Sequence, residues 1–160
     1  MANIINRLVF VFVAMNFVVF SASAQTPTNN LFKDINGIDV IVSVNNDGEC
    51  KIDESTIKSS VSYVLSNTPF KKIDTSAYDT LAYSLVILEA KQGSRSVGCS
   101  ASLVVELWRM TEFKGKRSMV TVWLENNLML AGNPQDLTQT VTSNVEKYTK
   151  RFVSRWTEQR

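Results

Sequence analysis

The chain has 160 residues, with 17 Lys and Arg against 15 Asp and Glu and no histidine. The missing histidine removes Ser-His-Asp and Cys-His nucleophile systems, histidine-ligated zinc and the usual general base near neutral pH. A formal charge of +2 gives no global drive toward nucleic acid or an anionic membrane, so neither is an expected partner.

Met1 to Ala24 has the three-part plan of a cleavable secretory signal. Arg7 supplies a positive start, Leu8 to Phe20 is the apolar run, and Ala22-Ser23-Ala24 places small side chains at the cleavage site. The run carries Asn16 and falls short of the roughly 20 residues a membrane span needs. The sequence therefore predicts a signal peptide over 1–24, cleaved before Gln25, and export of the rest, to a bacterial periplasm first and outside the cell second. No later stretch is apolar for long enough to cross a bilayer, so no membrane span is expected after cleavage. Residues 25–36, opening on QTPTNN, read as a flexible leader, and 37–160 as one domain.

From Ile38 the pattern alternates strictly, with Ile38, Val40, Val42 and Val44 on one side, which predicts a strand with one buried face. NNDG at 45–48 then turns the chain. Part of a calcium-loop spacing starts at Ser43, but Asp is nearly obligatory at that position, and no metal is expected. A helix follows, with Asp53 as its cap, Ile52 and Ile57 as a hydrophobic staple, and Ile57, Val61, Val64 and Leu65 as its apolar stripe. Asn67 and Pro69 stop it.

Three strand patterns come next, Thr80–Leu88, Val97–Met110 and Met119–Glu125, separated by KQGSRS and KGKRS. Such short connections predict consecutive antiparallel hairpins. In the second, Met110 is expected opposite Met119, Trp108 opposite Thr121 and Glu106 opposite Trp123, with Val105, Leu107, Val120, Val122 and Leu124 on the other face. In the first, Leu81, Tyr83, Leu85 and Ile87 are expected to meet Val105, Leu103, Ala101 and Cys99. Residues 127–132 (NLMLAG) fit an extension of the last strand, a short extra strand or a plug at the sheet's end. A final long helix opens on the cap Asn133 and Pro134, with Leu137, Val141, Val145, Tyr148, Phe152 and Trp156 as its stripe.

The element order is β-α-β-β-β-α. Two amphipathic helices and one sheet give an α+β two-layer sandwich, a mainly antiparallel four-stranded sheet with both helices on one face. Whether the first strand lies at the edge or the centre stays open. The two cysteines, Cys50 and Cys99, are predicted to form a structural disulfide in an oxidising compartment, since a redox role would show a close CxxC pair or an activated thiol.

No glycine-rich phosphate loop, no zinc ligand set and no cofactor motif is present. Enzymatic chemistry is therefore disfavoured, with one opening: Glu106 and Glu125 fall on the open sheet face near Trp123, where a glycan-active enzyme would hold a carboxylate pair. The larger feature of that face is apolar. Val104, Glu106, Trp108, Met110, Met119, Thr121 and Trp123 form a candidate interaction surface, rich in the Trp and Met that partner sites favour. The expected function is a small exported, non-enzymatic binding or adaptor domain acting through that face or through a sheet edge, on another envelope protein or a second copy of itself. A carboxylate-dependent glycan enzyme and a structural accessory subunit of an envelope assembly are the alternatives.

Overall fold

Two tight turns organise the sheet of this protein, whose computed structural model describes residues 31–33, 35, 37–68 and 79–159. The expected signal peptide, the first part of the leader and Pro69 lie outside the described residues. At one turn Gln92 pairs with Arg95, with Gly93 at φ 65°; at the other Phe113 pairs with Lys116, with Lys114 at φ 51° and Gly115 at φ 74°. Two successive positive-φ residues are what the commonest two-residue hairpin turn requires, so KGKRS sets the register of the strands it joins.

The elements are β1 (Asp39–Asn46), α1 (Glu54–Ser66), β2 (Asp79–Gln92), β3 (Arg95–Phe113), β4 (Lys116–Ala131) and α2 (Pro134–Glu158). The sheet order is β1-β2-β3-β4. Its two hairpins are antiparallel, while β1 runs parallel to β2 at the edge, because a connection through a helix returns the chain in the same direction. The α+β sandwich expected from the sequence is thus present, with a mixed sheet. Residues 127–131 extend β4 to Ala131.

The helices form where their stripes predict. In α1 Ile57, Val61, Val64 and Leu65 are buried with the staple residue Ile52; Asp53 holds the cap position, though its side chain makes no capping bond. In α2 the Asn133 Oδ1 accepts from the Asp136 amide at 2.8 Å, Pro134 opens the first turn, and all six predicted stripe residues are buried. Both helices cover one face of the sheet, which gives Leu81, Tyr83, Leu85, Ile87, Leu103, Val105 and Leu107 to the core. Among the described residues no helix is long and apolar enough to cross a membrane.

Two expectations are corrected. In the first hairpin Leu81 pairs with Leu107, Tyr83 with Val105, Leu85 with Leu103 and Ile87 with Ala101, a slide of two residues from the predicted register. The turn tightens onto Gly93, and Val97 is left as an extra residue between Ser96 and Gly98. A slide of two keeps every side chain on its predicted face, since side chains alternate with period two. The second correction concerns the leader. Phe32 is 3% and Ile35 1% exposed, both within the core. The Phe32 amide donates to Gln159 Oε1 at 3.2 Å, and the Trp156 indole donates to the Ile35 carbonyl at 3.1 Å. Arg109 donates to the Leu31 and Lys33 carbonyls and pairs with Asp79 at 2.7 Å. These bonds tie Leu31, Phe32, Lys33 and Ile35 to the end of α2 and to the middle strands.

At the opposite end, Cys50 and Cys99 form the predicted disulfide, with Cα atoms 5.8 Å apart and 49 residues of separation. Loop entropy assigns such a closure about 4 kcal/mol at most. Beside it, Glu89 accepts from the Glu49 amide at 3.2 Å and pairs with Lys91 at 3.1 Å. Gly48, at φ 66°, lies so close that a Cβ there would collide with the Glu89 carboxylate.

Truncating Phe32 to Ala is expected to cost about 3 kcal/mol of unfolding free energy in urea titrations, whereas a flexible leader would give no loss. Hydrogen bonds from Ser96 and Lys91 hold the Glu89 carboxyl below its usual range. A lowered folded-state value means stability present at neutral pH and lost as pH falls through the carboxylate range. Urea midpoints of Glu89→Gln should lose part of that acid dependence; an unchanged pH profile would contradict the role of this clasp.

Candidate interaction surface

The face that the helices leave uncovered can be read row by row across the strands. Asn45, Val86, Ser102 and Leu128 form one row; Ser43, Ser84, Val104 and Asn126 the next; then Ile41, Ala82, Glu106 and Leu124; then Asp39, Thr80, Trp108 and Thr121. Leu88, Ser100 and Leu130 close one end, and Met110 with Met119 the other. Alternation puts all of these on the same side. Val104, Glu106, Trp108, Met110, Met119 and Thr121, six of the seven expected surface residues, lie there together, and the predicted pairs Met110–Met119 and Trp108–Thr121 are present.

Trp123 does not lie there. Trp108 pairs with Thr121 but Leu107 pairs with Trp123, which leaves Val122 as an extra residue in β4. This β-bulge reverses the facing of every later residue in the strand. Trp123 turns into the helix layer, 6.4 Å from the Phe32 ring and 6.1 Å from the Phe152 ring between centroids. Such aromatic contacts add to area burial. Leu124, expected in the core, moves to the open face and is 50% exposed; Leu128 and Leu130 follow it at 69% and 76%.

The same bulge separates the two carboxylates. Glu106 stays on the open face and accepts from Thr121 Oγ1 at 3.2 Å. Glu125 turns to the helix side and pairs with Arg151 at 3.2 Å. A glycosidase needs both groups on one sugar, and here the sheet stands between them. Among the described residues no group of three His, Cys, Asp or Glu is placed to hold a metal.

Beside β4, the helix side is polar. Asn127 Nδ2 donates to Asn144 at 3.0 Å, the Tyr148 hydroxyl donates to the Asn126 carbonyl at 3.2 Å, and Lys147 and Arg151 flank the Tyr148 ring. A hollow there is lined by Glu125, Arg151, Ser154 and Arg155. Leu124, Leu128 and Leu130 are the surface residues that the sequence reading missed. The alternation of NLMLAG signals a strand, but which of its faces is outward depends on the bulge, and no local residue type announces one.

Because Trp123, partly buried, packs against the core from the helix side while Trp108 lies on the open face, their truncations should differ. Trp123→Ala is expected to lower stability by about 3 kcal/mol and Trp108→Ala by about 1 kcal/mol in the same urea assay. The reverse order would place Trp123 outside.

No protein-family model matches the chain, and no curated protein matches it. Among solved structures the chain is similar to a hypothetical protein from Chlamydia trachomatis, at 12% identity and a TM-score of 0.33, over 72% of this chain and 99% of that one. A likeness of that size carries no argument about fold or function.

Proposed function

We propose that this chain is a small exported binding or adaptor domain without enzymatic chemistry, acting on another envelope protein through the open face of its sheet and the adjoining β4 edge. One observation carries the reading. Seven large apolar side chains on that single face, Ile41, Val86, Leu88, Met119, Leu124, Leu128 and Leu130, are each more than two-fifths exposed. Exposed apolar area of this kind, interleaved with Ser, Thr and Asn, marks a partner site more than an ordinary wet sheet face. Glu106 and, at the β1 edge, Asp39 are the charged residues of its interior rows, which suits a protein partner and gives a charged small molecule little to hold. Export rests on the plan of residues 1–24 and fits the Cys50–Cys99 disulfide, with a bacterial periplasm as the destination.

The test is capture from envelope extract by the wild type and by Val86→Ser/Leu128→Ser. Both positions are exposed, so folding is retained, and urea midpoints verify it. The variant is expected to recover on the order of tenfold less of a specific partner. Equal recovery by the two proteins would remove the open face from the account.

A further inference from the structure

The open face ends at β4, and among the described residues the outer side of that strand has no neighbouring strand, the Asn126 carbonyl accepting from the Tyr148 hydroxyl. Such an edge accepts an added strand. β1, the other edge, is half as long and polar on its open side at Ser43 and Asn45; β4 spans 16 residues. The two flanks of the β4 edge differ in chemistry. On the open side stand Leu124, Leu128 and Leu130. On the helix side stand Lys147, Arg151 and Arg155 of α2, beside two carboxylates that are already paired, Glu125 with Arg151 and Glu146 with Lys150. Among the described residues neither Lys147 nor Arg155 has an ion pair.

We propose that the β4 edge takes up an extended segment of the partner protein whose residues alternate between apolar and acidic. This rests on the reading of the chain as a binding domain and names the partner's chemistry. The spacing fits. Lys147, Arg151 and Arg155 recur every fourth residue, a rise of about 6 Å along the helix, and every second residue of a strand advances about 6.7 Å. Contacts of Asn144 with Asn127 and Met129, Tyr148 with Asn126 and Arg151 with Glu125 show that α2 runs along β4 in the opposite direction. Successive carboxylates on one side of an added strand therefore meet successive cations, while the apolar residues between them lie against the leucines. A second copy of β4 suits this edge poorly, because two-fold pairing would bring Arg151 and Arg155 toward their own copies, and like charges across an interface repel.

The experiment measures fluorescence anisotropy of labelled peptides of alternating Val and Glu on protein purified from cells expressing the full chain. Saturable binding is expected, with none for the Val and Lys counterpart. Reversing two exposed cations, Lys147→Glu/Arg155→Glu, should weaken binding on the order of tenfold, whereas the remote Lys58→Glu should not. Backbone N-methylation supplies a readout of the ladder itself. Methylating all Glu residues or all Val residues blocks opposite sides of the peptide, so one of the two modified peptides should fail and the other should bind. The proposal is overturned if the acidic peptide shows no saturable binding, if the Lys peptide binds as well, or if both methylated peptides bind like the parent. If the acidic peptide fails while Val86→Ser/Leu128→Ser still loses its captured partner, edge docking falls and the open-face reading stands.

Discussion

The extra residue in β4 at Val122 decides what each face of the sheet contains. Without it, Trp123 would join the open face and Leu124 the core. With it, the indole completes a triangle of rings with Phe32 and Phe152, which are themselves 5.8 Å apart. The arrangement has a cost past the bulge, where the usual partition is inverted. Leu124, Leu128 and Leu130 face water while Glu125 and Asn127 face the helix. Each exposed leucine forgoes roughly 1.5–3 kcal/mol of possible burial. Bulges beside sheet edges commonly re-aim side chains toward a functional surface, and here the surface so made is the apolar margin of an open edge.

The rest of the molecule holds that surface rigid. At one end Arg109 joins Asp79 on β2 to the carbonyls of Leu31 and Lys33, and the bonds of Gln159 and Trp156 to residues 32 and 35 close the last turn of α2 over the same segment. At the other end the Cys50–Cys99 bridge and the Glu89 clasp fasten the connection between β1 and α1 to the first hairpin. Between them, the buried Tyr83 hydroxyl and Thr149 Oγ1 lie 2.7 Å apart and fix α2 over the centre of the sheet. In the proposed binding role, a platform fastened at both ends would lose little freedom on docking, which favours affinity.

The parts of this architecture legible in the sequence are those governed by short periods. The stripes of both helices, the Asn133-Pro134 start of α2 and the alternation of β1 to β3 each repeat within a few residues, so burial could be assigned without knowing the neighbours. Even the misjudged register of the first hairpin preserved its faces, because the error was a whole period. Two features escaped for a common reason. Phe32 and Ile35 are buried by residues more than a hundred positions away, Gln159 and Trp156, and nothing local marks them as core. The bulge at Val122 likewise answers to Phe32 and Phe152. The surface residues beyond it, Leu124, Leu128 and Leu130, were misplaced or undecided as a direct consequence.

Residue-resolved amide hydrogen exchange along β4 tests the central claim, that this strand is a bulged and open edge, most directly. Amides directed at β3 are protected and amides directed outward are not, so protection should alternate along the strand, and the parity of the slow residues should switch at Val122. A single unbroken phase would mean that no bulge turns the leucines outward, and uniform protection would mean that the edge is already covered; either result would contradict the account.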